Sequence, residues 1–262
     1  MDNKNYWSSD ISIDVVKTAT QRITPEEAVG FVMGCQEVYR MVNEIDPDVM
    51  FFPERGASPI DWGLQQFGEL YPNKTRHRVY LPIGTCIDPS TSSEWGPSKP
   101  TKLSIVHDAV ENLHRSGVSV KKPLLIDEVQ SGATITNVIR NLGDVINSDD
   151  LFVIAVQDTR NSWLSRKHAK GYKKIIESKR KGVVARVVEM PLFTVDRQTF
   201  LNRLFNSSSG YHWPMVEQNI EAQLFIKGLV LVVMGIQNQI SSPDSEIVTW
   251  YQNVVDITEK IN

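Results

Sequence analysis

Apolar residues recur along this chain in two rhythms, and the switches between them outline the fold. Thr24-Pro25-Glu26-Glu27 combines an N-cap residue, proline at the first helical position, early acids and capping-box spacing, so it predicts a helix from Pro25 to Asn43. Pro47 blocks its continuation. Val49-Met50-Phe51-Phe52 is then a continuous apolar run, the pattern of a strand covered on both faces. A turn over Pro53 to Pro59 leads to a helix through Trp62, Leu64 and Leu70, and Val79 to Ile83 reads as the next strand. After it, Gly84 to Lys102 is rich in Ser, Thr, Pro and Gly, a long loop of the kind that serves as a functional lid.

The alternation continues with a helix over Ser104 to Arg115, a strand at Pro123 to Ile126, and a helix that sets Ile135, Val138, Ile139 and Leu142 on one face. Further strands are predicted at Leu151 to Val156 and at Val183 to Met190. Beyond Pro191 the pattern becomes helical, with helices at Asp196 to Phe205, Pro214 to Ile240 and Asp244 to Ile261, and a Ser207 to Gly210 break between the first two. Strands and helices that alternate in this way specify an α/β fold: a parallel-rich twisted sheet flanked by helices, with a helical C-terminal extension. The expected organisation is an N-terminal arm (1–24), an α/β core (25–195) and the extension (196–262).

Composition narrows the classes without choosing among them. The chain has 262 residues, 41% hydrophobic and 23% charged, which is ordinary for a globular protein with a real core. A net charge of -3 gives no global attraction to nucleic acid or to anionic membranes, so any anion site must be local. Cys35 and Cys86 match no metal or disulfide spacing and read as reduced thiols, which with the polar N-terminus points to the cytoplasm. The longest apolar run, Leu224 to Ile236, is too short and too interrupted to span a membrane. His77, His107, His114, His168 and His212 form no metal-binding pattern, and the P-loop, dinucleotide and α/β-hydrolase motifs are missing.

Chemistry concentrates where the strand ending at Ile126 runs into Asp127-Glu128-Val129-Gln130-Ser131-Gly132-Ala133-Thr134. Gly132 permits a tight turn and close approach of a ligand. The first amides of the following helix, near Gly132, Ala133 and Thr134, converge on one point and favour a phosphate. Hydroxyls of Ser131, Thr134 and Thr136 add donors, and Asp127 can accept hydrogen bonds from sugar hydroxyls. Such a turn suits a phosphorylated ribose.

These residues resemble the signature of the type I phosphoribosyltransferases, an apolar strand, acids, a short spacer and Thr/Ser-Gly-x-Thr. Phe51-Phe52-Pro53-Glu54-Arg55-Gly56-Ala57-Ser58-Pro59 is similar to that family's pyrophosphate loop. The resemblance covers Pro25 to Pro191. It implies binding of phosphoribosyl pyrophosphate and transfer of the phosphoribosyl group to a nitrogenous acceptor. Arg55, Gly56 and Ala57 would then hold pyrophosphate, with Lys99 and Lys102 on the lid, and Ser131, Gly132, Ala133 and Thr134 the ribose phosphate. Asp127, Glu128 and Arg55 would carry catalysis. Mg²⁺ would be bound mainly through substrate oxygens, with Asp127 as the one protein ligand in view.

One departure bears on turnover. In ungapped register the first of the family's two acids falls on Ile126; otherwise Asp127-Glu128 is the pair and the turn is one residue short. This motivates a second reading, a non-catalytic sensor of phosphoribosyl pyrophosphate or a nucleotide that works through a protein partner or a second copy docked on the C-terminal helices. The basic stretch from Arg160 to Arg186, with Trp163 and Tyr172 interleaved, supplies a third and weaker one, nucleic-acid binding.

Overall fold

The computed structural model describes residues 11–53, 57–71, 75–81, 102–129, 133–146, 151–159, 183–191, 220–237 and 242–261. The expected lid except Lys102, the helix at Asp196 to Phe205 and most of the basic stretch lie outside them. In chain order the elements are α1 (Ile13–Thr20), α2 (Pro25–Ile45), β1 (Val49–Pro53), α3 (Ser58–Leu70), β2 (His77–Leu81), α4 (Lys102–Arg115), β3 (Pro123–Glu128), α5 (Ala133–Val145), β4 (Leu151–Asp158), β5 (Val183–Met190), α6 (Ile220–Val233) and α7 (Ser245–Ile261). They fall into two compact units, Arg40–Ser58 with Asn73–Glu189, and Met1–Tyr39 with Pro59–Pro72 and Met190–Asn262.

The first unit holds a five-stranded sheet of order β2-β1-β3-β4-β5, in which β1–β2, β1–β3 and β3–β4 pair in parallel. The α/β expectation is met. Strand side chains alternate between faces. Val49, Phe51, Leu81, Leu125, Val153 and Ala155 meet Val106 and Val110 of α4 and Ile135, Val138, Ile139 and Leu142 of α5 in one cluster. Met50, Phe52, Leu124, Ile126, Ile154 and Val156 project the other way and are buried too, which is why these strands read as unbroken apolar runs.

Two expectations shift. β2 starts at His77 rather than Val79, because its ladder with β1 starts at Val49↔His77 and backbone pairing draws in exposed His77 and Arg78; Pro82 and Ile83 of the expected strand lie outside the described residues. β3 continues past Ile126 to Glu128. Gly117 (φ 74) ends α4, with its N–H donating to the His114 carbonyl (2.9 Å) and the Val118 N–H to Leu113 (2.9 Å), a closure that needs the left-handed backbone glycine tolerates.

The second unit is helical. α6 is apolar all round and accordingly buried, from Ala222 through Phe225 and Ile226 to Val233. α7 buries Ile247, Trp250, Tyr251, Val254 and Val255 on one face. α1, within the expected arm, is fixed to both: the Ser12 N–H donates to Glu221 (3.2 Å), and Lys17 Nζ lies 2.8 Å from Asp244 Oδ2. The Trp250 Nε1–H donates to the Ile23 carbonyl (2.7 Å). α2 and α3 approach closely where Gly63 meets Cys35, 2.8 Å separating Sγ from the place a Cβ would take. No helix among the described residues is long and apolar enough to cross a membrane.

Candidate functional site at the ends of β1 and β3

Strand order reverses between β1 and β3. The strand after β1 in sequence, β2, lies on one side of it, and the strand after β3, β4, lies on the opposite side. Connections leaving the C-terminal ends of β1 and β3 therefore diverge, and in open parallel sheets ligands bind in the crevice that such a reversal leaves. Pairing agrees with this. The β1–β2 register runs to Pro53↔Leu81 and β3–β4 to Glu128↔Val156, but β1–β3 stops at Phe51↔Leu125. Both stretches singled out in the sequence emerge here, Pro53 to Ala57 after β1 and Val129 to Ala133 after β3.

Of the residues expected at the site, Arg55, Gly56, Ser131, Gly132 and Lys99 lie outside the described ones. Ala57 is buried just before α3, Ala133 and Thr134 open α5, and Lys102 opens α4. Asp127 is only 4% exposed. It falls between Leu125 and Val129 and so projects to the α4/α5 face, while half-buried Glu128 projects to the other. The two adjacent acids do not share a face. Burial, and secondarily the charge of Glu128, hold the Asp127 carboxyl well above the ordinary carboxylate range, against a smaller opposing pull from the Glu128 backbone amide. That environment favours the protonated carboxyl over the carboxylate.

Two hydroxyls not assigned by the resemblance stand out. Ser58 opens α3 at 1% exposure, and its Oγ has no hydrogen-bond partner. Thr136 in α5 has a buried Oγ1, also without one. An unsatisfied buried polar group costs about 1–3 kcal/mol, so each calls for an explanation. The sequence offered Thr136 as a donor beside the turn, and Ser58 lay within the stretch that resembles a pyrophosphate loop without being given a role of its own. Asp158 was missed as well. It ends β4 at 3% exposure on the sheet end that carries Asp127, a consequence of closing that strand at Val156.

Two other features are separate from this corner. His107, Asp108 and Glu111 bring one ligand atom each within 4.8 Å of one another on α4, but Glu111 Oε1 already accepts from Arg115 (2.6 Å). A cleft of about 390 Å³ lies in the helical unit, lined by Thr20, Gln21, Pro25, Thr249, Trp250 and Asn253 among others, none of them an expected site residue. Fold and topology together define an open parallel α/β protein whose strand order reverses between its central strands β1 and β3. No protein-family model, curated protein or solved structure matches the chain.

Proposed function

We propose that the crevice binds a phosphorylated ribose, with phosphoribosyl pyrophosphate the leading ligand, and passes the phosphoribosyl group to a nitrogenous acceptor. The observation that carries this reading is the emergence of both anion-suited turns from the adjacent strands between which the order reverses. The amides at the start of α5 would receive the ribose phosphate, and the segment between Pro53 and Ser58 the pyrophosphate. Positioning and charge stabilisation are the main demands of displacement at an anomeric carbon. Orphaned hydroxyls fit an oxygen-rich ligand that brings its own cation. Mg²⁺, when bound, would neutralise the leaving pyrophosphate through phosphate and ribose oxygens. Glu128, half-buried at the strand end, would be the nearest carboxylate on the chain.

One observation favours the sensor reading. Ile126, which takes the first acid's place in ungapped register, is fully buried and committed to packing. Calorimetry with phosphoribosyl pyrophosphate and Mg²⁺, followed by assay of pyrophosphate release across a panel of bases, separates the possibilities. Binding with release supports transfer, and binding without release supports the sensor. No binding at micromolar protein and millimolar ligand would remove both.

A further inference from the structure

α7 turns one face inward and a neighbouring one toward an opening. Ile247, Trp250, Tyr251, Val254 and Val255 are buried, while Glu246, Thr249, Trp250 and Asn253, recurring at steps of three and four, line the cleft of about 390 Å³ together with Thr20, Gln21 and Pro25. That volume falls in the range of small-molecule sites, roughly 300–1,000 Å³. All of these residues belong to the helical unit.

The wall is short of protons to give. Thr20 Oγ1 donates to the Lys17 carbonyl (3.0 Å), Thr249 Oγ1 to the Ser245 carbonyl (2.9 Å) and the Trp250 Nε1–H to the Ile23 carbonyl (2.7 Å). The two hydroxyls therefore offer the cleft lone pairs alone, and the indole offers carbon surface. The Gln21 and Asn253 carboxamides can donate and accept alike. Among the described lining residues Glu246 is the one that carries a charge. Lys17 makes its short contact, 2.8 Å, with Asp244 and stands 3.7 Å from Glu246, whose side chain is 71% exposed. The carboxyl end of α1, the negative end of its dipole, borders the same space through Thr20 and Gln21. The positive ends of α2 and α7 are already met by acids, since Glu27 accepts from the Thr24 N–H (2.9 Å) and Asp244 from the Glu246 N–H (2.9 Å).

We propose that this cleft binds an organic cation, an ammonium or guanidinium on an apolar stem. The head meets Glu246 and the lone pairs of Thr20 and Thr249, and the stem lies against Pro25 and Trp250. An anion of the same size would face Glu246 with no basic residue in the described wall to receive it. The cation is either a free amine or the lysine or arginine side chain of a peptide, and the chemistry of recognition is the same. The site is independent of the one proposed at the sheet.

The test is an amide NMR titration of the full chain with butylguanidinium, and with butanol and butyrate for comparison, on wild type, Glu246→Gln and Asn253→Phe. Wild type should bind butylguanidinium with a Kd of roughly 1 mM, with shifts at Thr20, Gln21 and Ser245 to Asn253. Glu246→Gln should weaken binding about 2- to 5-fold, the scale of a solvent-exposed ion pair, and the difference should shrink in high salt. Asn253→Phe, which fills the cleft, should abolish it. Both positions are exposed, so unfolding midpoints should stay near that of wild type. No saturation by about 10 mM ligand, shifts confined to other residues, butanol or butyrate binding as tightly, or variants that match wild type would each overturn the proposal. N-acetylarginine amide separates the two sources, binding more tightly than butylguanidinium if a peptide side chain is the occupant and less tightly if a free amine is.

Discussion

In the helical unit several polar side chains at junctions have found protein partners. Lys17 pairs with Asp244, Trp250 closes on the Ile23 carbonyl, Thr24 and Glu27 cap each other reciprocally (3.2 and 2.9 Å), and Lys227 reaches Glu69 at 2.8 Å. At the carboxyl ends of β1 and β3 the balance is reversed. Ser58 and Thr136 hold unbonded buried hydroxyls, and Asp127 is a carboxyl pressed into an apolar cluster. The first region uses polarity to fix helices. The second keeps polarity that folding alone does not explain, and such departures from consistency concentrate at sites of function.

That contrast can be broken in graded ways. Trp250→Ala should cost about 3–5 kcal/mol in denaturant unfolding, because a buried aromatic and its hydrogen bond go together. A loss under about 1 kcal/mol would mean the helical unit is not held as described. Asp127→Asn comes next and depends on pH. The folded-state affinity of Asp127 for its proton is raised, so wild-type stability should decline as pH climbs from the ordinary carboxyl range through that raised value. The isosteric amide lacks this decline, and urea midpoints of the two proteins should diverge as pH rises above the ordinary carboxyl range. Parallel curves would show that Asp127 stays solvated and ionised.

Thr24→Ala should remove about 1 kcal/mol, seen as a lower unfolding midpoint, through loss of the cap on α2. The smallest effect tests an exception. Gln66 is 4% exposed on α3 in the helical unit, yet its Oε1 has no partner. Gln66→Met should raise stability by up to about 1 kcal/mol by replacing an unsatisfied amide with an apolar chain of similar length. A drop of that size would reveal a hidden partner for the Gln66 amide.

How far the sequence carries depends on whether a feature is local. α2 announces itself because Thr24-Pro25-Glu26-Glu27 is a complete start signal, and β1 and β3 because unbroken apolar runs, Val49 to Phe52 and Leu124 to Ile126, need cover on both faces. α1 is eight residues long and turns only Val16 and Ala19 fully inward, too little periodicity to stand out before the capping signal at Thr24. Asp127 was placed at the turn because it is polar, but the period of two through Leu125 and Val129 assigns it to the strand's inner face. Ser58 lay within the stretch that resembles a pyrophosphate loop, but its unbonded hydroxyl lies beyond any reading of pattern. A serine ahead of proline at a helix start is usually a cap, and only the surroundings brought by tertiary structure reveal that this one is not.

The division of the chain also has a temporal side. Every strand of the sheet lies before Pro191, whereas α1 near the beginning must wait for Asp244 and Glu221 to secure it. On a ribosome the sheet's strands can therefore emerge and pair while Ile13–Thr20 still lacks its anchors. Those early residues become ordered among the last, once Ser245–Ile261 has cleared the exit tunnel, although domains ordinarily settle from the N-terminus onward.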